Sequence, residues 1–434
     1  LARVFTSAEP GLPKVRIGGI VTEVTPAYCR VSGLSQFLKL GECIDLATGE
    51  RPQLGEVVRI DEHGATVKLF EVTTNAGLAT TAWRRGPLAV RPHRSWKGRI
   101  INALGTAIDR AGPLRQGDLP ILADREPPLP MRRQRIRSPL STGVRVIDLF
   151  TPLCAGQRIG IFAGSGIGKS TLLAMLARAR GFDTVVLALV GERGREVREF
   201  LEDALHRDRS RAVAIVSTGD ESPMMRRLAP KTAMCVAEHF RDLGENVLLI
   251  VDSVTRFAHA ARDVALAAGE PPVARGYAPS VFSDLPKLLE RAGPGEEGTG
   301  SITGVYSVLV DGDDHNDPVA DSIRGTLDGH IVLDRAIADQ GRYPAVNLLT
   351  SVSRLADQVW TPEQRKLVMK LRTMVAHFED TRDLRLMGGY RSGVDPEIDK
   401  AIELVPRIHE VLKQSPDAPA SVDAFQDVAQ ALSS

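Results

Sequence analysis

Eight residues, Ala163-Gly-Ser-Gly-Ile-Gly-Lys-Ser170, crowd three glycines, an amine and two hydroxyls into a short segment. A β-branched stretch, Arg158 to Phe162, precedes them and a helix-like stretch, Lys169 to Ala179, follows; this is the context that a phosphate-binding loop requires. Gly164, Gly166 and Gly168 free the backbone so that the N–H groups along Ala163, Ser165, Ile167 and Thr171 can converge on phosphate oxygens at the positive end of a helix. Lys169 would then neutralise the β and γ phosphates, and the Ser170 hydroxyl would ligate Mg²⁺. The strict pattern places glycine where Ala163 stands, so the loop is a variant. A glycine-rich turn with an incidental lysine is the bland reading, and the flanks argue against it.

Further candidates lie just beyond other strand-like runs. Val247 to Asp252 is an apolar run ending in a carboxylate suited to the Mg²⁺ shell, a weak signal alone because aspartates commonly end strands. In a parallel sheet the strand C-termini share one edge, so Asp252 and the phosphate loop can address one nucleotide. Val190-Gly-Glu-Arg-Gly-Arg-Glu196 puts Glu192 on that edge, where it could polarise a water attacking the γ phosphate. An ordinary helix-start glutamate explains Glu192 equally well, and Glu196 reads as surface. Arg354, in Ser351-Val-Ser-Arg354, could stabilise γ-phosphate charge or form a structural salt bridge. Arg193 and Arg256 carry the same ambiguity. Tyr343 could stack on adenine, although one aromatic is more often packing. The nine histidines show no metal-ligand spacing, and no Ser-His-Asp arrangement is legible.

The elements that must position these groups follow from length and pattern. At roughly 150 residues per domain, 434 residues give about three domains. With 43% hydrophobic and 25% charged residues the chain has enough apolar surface to fold, and a net charge of +1 offers no global field toward nucleic acid or anionic lipid. The longest apolar runs, such as Val185 to Val190, are far short of the roughly 20 residues a membrane helix takes. Cys29, Cys43, Cys154 and Cys235 form no C-x-x-C pair, which fits a reducing cytoplasm. Leu1 rather than methionine opens the chain, and a segment upstream of it is expected.

Residues 1–92 alternate short strands and turns (Gly19–Val24, Tyr28–Val31, Cys43–Leu46, Val57–Ile60, Thr66–Phe70, Leu88–Val90), which predicts an N-terminal antiparallel β-barrel. The arginine-rich, proline-rich stretch from Glu126 to Ser138 reads as a solvated linker in preference to a phosphate patch. Residues 93–360, including that linker, are expected to form a RecA-like α/β nucleotide domain, with strands Arg158–Phe162, Thr184–Val190, Ala212–Ser217, Val247–Val251, Ser301–Leu309 and Ala345–Leu349. Helices are expected at Lys169–Ala179, Val197–His206, Lys231–Leu243 and Val254–Ala267. Residues 361–434 read as a helical domain: a capping box at Thr361-Pro-Glu-Gln364, a second helix from Asp395-Pro396, and a last one capped by Ser421.

Taken together, AGSGIGKS, VGERGREV, VLLIVDSVTRFA, EPPVARGYAPSVFSDLPKLLERAG, GDDHNDPVADSIRGTLDGHIVLDR and YPAVNLLTSVSR resemble the flagellar and type III secretion export ATPases, relatives of the rotary ATP synthase subunits. The resemblance implies a homohexameric ring that hydrolyses ATP with Mg²⁺ at subunit interfaces. It implies phosphate and metal binding by Lys169 and Ser170, water activation by Glu192, metal support by Asp252, and accompanying arginines at Arg193 and Arg256. Arg354 matches a finger reaching into a neighbouring subunit's site, and Tyr343, eleven residues earlier, matches an adenine-stacking tyrosine. The implied partners are a stator-like regulator, a central stalk protein, the export gate, and chaperones with their cargo. The implied location is cytoplasmic, peripheral at an inner-membrane export apparatus, with no nucleic acid bound.

Overall likeness favours the flagellar system over the injectisome. A RecA-like nucleic-acid motor is a rival, but Phe5, Tyr28, Phe37, Phe70 and Trp83 form no basic-aromatic stripe on the barrel. A non-catalytic ring subunit is another, against which Glu192 argues.

Overall fold

The computed structural model describes residues 16–136, 138–205, 209–310 and 317–433. Six strands close the first unit: β1 (Gly18–Val24), β2 (Cys29–Ser32), β3 (Glu42–Leu46), β4 (Gln53–Asp61), β5 (Gly64–Leu69) and β6 (Thr81–Pro87). They run in the order β1-β2-β5-β4-β3-β6, and Gly18 opposite Trp83 joins the ends. Val21, Val31, Ile44, Val57 and Val67 fill the interior. The closing strand is not the expected Leu88–Val90. In β6 only Ala82 and Gly86 are buried, so its sequence carries no apolar alternation to read. Ala89–Val90 instead pairs with Ile121–Leu122 outside the barrel.

The nucleotide domain is built on β7 (Ile100–Asn102), β8 (Arg158–Ala163), β9 (Thr184–Val190), β10 (Ala212–Ser217), β11 (Asn246–Asp252), β12 (Ser301–Leu309), β13 (Gly329–Val332) and β14 (Val352–Ser353). Their order is β14-β13-β8-β12-β11-β9-β10-β7, parallel throughout except for the edge strand β14. Every residue of β9 is buried, as a parallel strand covered on both faces demands. One face packs α2 (Lys169–Ala177) and α3 (Gly194–Leu205), preceded in the chain by the short α1 (Arg145–Phe150). The other packs α4 (Pro223–Asp242), α5 (Val254–Ala267) and α6 (Pro279–Glu290), after which α7 (Pro318–Thr326) leads into β13.

Three expectations need correction here. Ala345–Leu349 is no strand: Val346 makes a single bridge to Leu333, and Asn347 turns the chain by accepting from the Leu349 and Thr350 N–H groups while donating to Asp334 at 3.0 Å. The arginine-rich linker is partly pinned, with Arg133 donating to the Glu290 carbonyl at 2.7 Å and Gln134 to those of Glu296 and Thr299. The expected α4 start at Lys231 lies eight residues too late, because Ser222 caps a helix whose first turn begins with proline at Pro223. Residues 311–316, which carry most of the GDDHNDP motif, and residue 206 of the expected second helix lie outside the described residues.

The longer helices of the helical domain are α8 (Pro362–Asp380), α9 (Pro396–Leu412) and α10 (Ala424–Ser433), with a single-turn helix at Arg382–Leu386 between the first two. Thr361 and Gln364 form the reciprocal capping box, at 3.2 and 2.9 Å, and Asp395 caps α9. Asp423, not Ser421, caps α10 by accepting from the Phe425 and Gln426 N–H groups; the Ser421 hydroxyl donates to Asp427 at 2.8 Å. Among the described residues no helix is long and apolar enough to cross a membrane.

The edge strand β7 is held by Asp109, which accepts from Arg99 through both carboxylate oxygens at 2.7 and 2.9 Å and from the Ile100 and Ala111 N–H groups. The Arg99 hydrogen bonds hold this carboxyl well below its usual range. Asp109→Asn is therefore expected to cost about 2 kcal/mol, read as a lower urea midpoint at neutral pH. The depressed folded-state value makes this stabilisation complete above the ordinary carboxylate range and lost as pH falls, so the two proteins should converge in acid.

Candidate active site

The phosphate loop begins where β8 ends, and its geometry needs glycine at two points. Gly166 and Gly168 take φ of 78° and 87°, a region costly for residues with a Cβ. At Gly168 a Cβ would also lie 3.3 Å from the Tyr343 ring. Gly168 opens α2, so the first free N–H groups of that helix face the loop. Arg335 donates to the Ser165 carbonyl at 2.9 Å and steadies the loop from outside. Ser170 and Thr171 are exposed in the first helical turn, whereas Ala163, Gly164 and Ile167 are buried beneath it.

Lys169 leaves this turn toward the ends of the neighbouring strands. Its ammonium pairs with Asp252 Oδ1 and lies 3.9 Å from Glu192 Oε1. Register explains the meeting: Leu189 is opposite Asp252 on β11, so Glu192 follows three residues beyond the same edge. Arg256, on the first turn of α5, reaches Glu192 Oε2 at 3.1 Å and donates to the Gly191 carbonyl. Lys169, Asp252, Glu192 and Arg256 thus form one chain of alternating charges. Burial pushes the Glu192 carboxyl above its ordinary value and the Asp252 charge adds to this, while Lys169 and Arg256 pull it down.

Two expected residues lie apart from this chain. Arg193 is 86% exposed and pairs with Glu196 at 3.6 Å. Arg354 is exposed at the end of β14, where its N–H donates to the Asp328 carbonyl. Because β14 runs antiparallel, with Ser353 opposite Gly329 and His330 opposite Gly160, Arg354 sits at the sheet's other edge. The phosphate loop begins about 17 Å away along the strands.

Tyr343 borders a cleft of about 590 Å³ lined by Gly168, Thr171, Leu172, Pro344, Lys413 and Pro416. The chain beyond α9 closes it, since the Gln414 N–H donates to the Tyr343 carbonyl at 2.9 Å. The Gln414 side chain accepts from the Arg145 N–H at 3.0 Å and donates to the Gly143 carbonyl at 2.8 Å. Sequence reading missed Gln414, which lies between helices with no pattern around it. It also missed Ser307, whose hydroxyl donates to Asp252 Oδ1; a hydroxyl inside the apolar run Val305 to Val310 was the available signal.

Residues 143–353 match the nucleotide-binding domain of the ATP synthase alpha/beta family, and residues 360–432 match the T3SS EscN ATPase C-terminal domain. The flagellum-specific ATP synthase of Agrobacterium fabrum is 58% identical over 415 residues, covering 96% of this chain and 88% of the relative. The chain belongs to the flagellar and type III secretion ATPase family. Within the same family, the type 3 secretion system ATPase of Xanthomonas euvesicatoria is 40% identical over 99% of this chain and 97% of its own length. The assembled ATPase EscN from enteropathogenic E. coli superposes with a TM-score of 0.89 at 38% identity, covering 96% of this chain and 99% of that one. This type III export ATPase is therefore a nucleotide-using enzyme with the expected barrel, RecA-like and helical parts. The nucleic-acid motor is not favoured by these relatives.

The raised Glu192 value carries a stability consequence for the ATPase without nucleotide. Stability gained on Glu192 protonation is complete below the ordinary glutamate value and lost as pH rises through the higher folded-state value. Glu192→Gln should consequently melt no lower than wild type at pH 7, with wild type gaining on the variant as pH is lowered toward 5. A variant that melts several degrees lower at pH 7 would contradict the balance of charges described.

Proposed function

We propose that this chain is the ATPase of a flagellar export apparatus, hydrolysing ATP with Mg²⁺ at interfaces between identical copies. The flagellar assignment is supported by flagellum-specific relatives at 58% and 57% identity, against 40% for the type 3 secretion system ATPase. The observation that carries the interfacial mechanism is the position of Arg354, at the opposite end of the sheet from Lys169 of its own chain.

Lys169 trades Asp252 for the β and γ phosphates when nucleotide enters, and the N–H groups from Gly164 to Thr171 take up the remaining phosphate oxygens. Ser170 and Asp252 would hold Mg²⁺. The exposed Ser170 hydroxyl in the first turn of α2 and the Asp252 carboxylate at the end of β11 are oxygen donors of the kind this ion takes. When bound, the ion neutralises charge on the phosphates. Glu192, oriented by Arg256, takes a proton from the attacking water. Tyr343 stacks on adenine in the cleft beside α2. Arg354 of one copy enters the neighbour's site and stabilises charge on the γ-phosphoryl as it passes to water and ADP leaves, and Arg193 faces the same interface.

The assembled EscN and its complex with the central stalk EscO support a ring, hexameric in this reading, around a stalk protein. A stator-like regulator, the export gate, and chaperones with cargo complete the set of partners, at the cytoplasmic side of the membrane apparatus.

Glu192→Gln is expected to bind ATP normally and to lose hydrolysis by a factor of about 10² to 10⁴, measured by phosphate release. Arg354→Ala and Lys169→Ala proteins, each inactive alone, should recover activity when mixed, because some interfaces then carry an intact Lys169 and an intact Arg354. Zero recovery in rings shown by mass to be mixed would exclude a finger acting between copies.

A further inference from the structure

Asp252 is almost wholly buried, and a buried carboxylate persists only where the protein supplies donors in place of water. Two donors reach it, the Lys169 ammonium and the Ser307 hydroxyl, and both use Oδ1. They differ in mobility. Lys169 is a long side chain that leaves for the phosphates when nucleotide binds. Ser307 is fixed: it lies on β12, between the strand that feeds the phosphate loop and the strand that ends in Asp252, with Ile161 opposite Ser307 on one side and Val251 opposite Tyr306 on the other.

That strand is tied at both ends. The Gly156 N–H donates to Thr303 Oγ1 at 2.9 Å, and the Leu309 N–H donates to Thr255 Oγ1 at 2.9 Å, on the helix that follows Asp252. Ser307 has no solvent exposure and shares its sheet face with Val305, Ile161 and Ile250. Its hydroxyl therefore meets Asp252 in a setting that otherwise offers apolar atoms, and truncation to alanine removes a donor without opening a path for water.

We propose that Ser307 is a positioning residue, which pins Asp252 Oδ1 after Lys169 has turned to the nucleotide and so keeps Oδ2 directed to the nucleotide's divalent cation. The inference rests on the assignment of Asp252 to the metal given above. With Ser307 gone, nothing fixes the rotation of the carboxylate once Lys169 leaves, and the part of nucleotide affinity that depends on the cation falls. A hydroxyl that merely fills space would, on removal, weaken binding equally with and without the cation.

The test is equilibrium binding of N-methylanthraniloyl-ADP to the full chain by fluorescence, in Mg²⁺ and in EDTA, for wild type and for Ser307→Ala, Ser307→Val, Ser307→Thr and Asp252→Asn. The ratio of the EDTA Kd to the Mg²⁺ Kd is expected to fall about tenfold in Ser307→Ala and Ser307→Val and to return in Ser307→Thr, which restores the hydroxyl. Melting temperatures of the nucleotide-free proteins report packing separately. An unchanged ratio in Ser307→Ala, with Asp252→Asn abolishing the Mg²⁺ enhancement, overturns the role of Ser307 while leaving that of Asp252 standing. An enhancement that survives in Asp252→Asn overturns the metal assignment and this inference with it.

Discussion

The contact between Lys169 and Asp252 sets the terms for the rest of the nucleotide domain. Two opposite charges lie inside the protein edge of a parallel sheet, Lys169 at 9% exposure and Asp252 at 2%. Removing charges from water costs several kcal/mol per ion, and the pair repays this only if the geometry is fixed and further donors are present. The fixing comes from three directions: the glycine-hinged loop that aims Lys169, the β11 register that brings Asp252 to the edge, and the Ser307 hydroxyl from β12. Breaking the pair within the empty protein would leave an uncompensated buried charge. A phosphate entering the loop is a replacement partner of the right sign for Lys169.

The same edge explains why Glu192 is poised. It follows β9, the neighbour of β11, and it shares the Lys169 ammonium, 3.9 Å away, with Asp252. Its closer partner, Arg256, belongs to the helix that starts immediately after Asp252, and that guanidinium is also engaged by the Gly191 carbonyl. One strand end therefore supplies the Asp252 carboxylate and, one helical turn later, the guanidinium that orients Glu192. This local coupling makes the spacing of four residues from Asp252 to Arg256 a geometric requirement of a strand followed by a helix.

Legibility in the sequence followed locality. The phosphate loop, Asp252 and the Thr361 cap are each encoded in fewer than ten consecutive residues, and the structure builds them where the residue types placed them. The barrel's last strand was hidden because Thr81-Ala-Trp-Arg-Arg-Gly-Pro87 buries only small residues, and its partners β1 and β3 are about 40 to 60 residues distant in sequence. Ala345 to Leu349 looked like a strand because four of its five residues are apolar. The Asn347 hydrogen bonds, which depend on Asp334 across the loop, decide otherwise. Gln414 and Ser307 escaped for a related reason: each works by meeting a group from a different part of the chain, which no periodicity announces.

Arg354 shows how a residue can be legible as a type and illegible as to place. An arginine after a strand suggests a phosphate ligand, but its value depends on strand direction. β14 is the antiparallel edge of an otherwise parallel run, and reversing one strand moves its C-terminal residue from the phosphate edge to the far edge. Within one chain that position is useless to the nucleotide. It would reach a phosphate only where a second copy presented its own loop, and the exposed Val352, two residues earlier on β14, adds apolar surface there. The cleft beside Tyr343 imposes a matching constraint within the chain. One wall is α2 and Tyr343, and the other is the Lys413 to Pro416 segment of the helical domain. Gln414 links that segment to Tyr343 and to the α1 region through three hydrogen bonds. An occupant of the cleft thus touches two domains at once, at the opposite end of the sheet from the exposed Arg354.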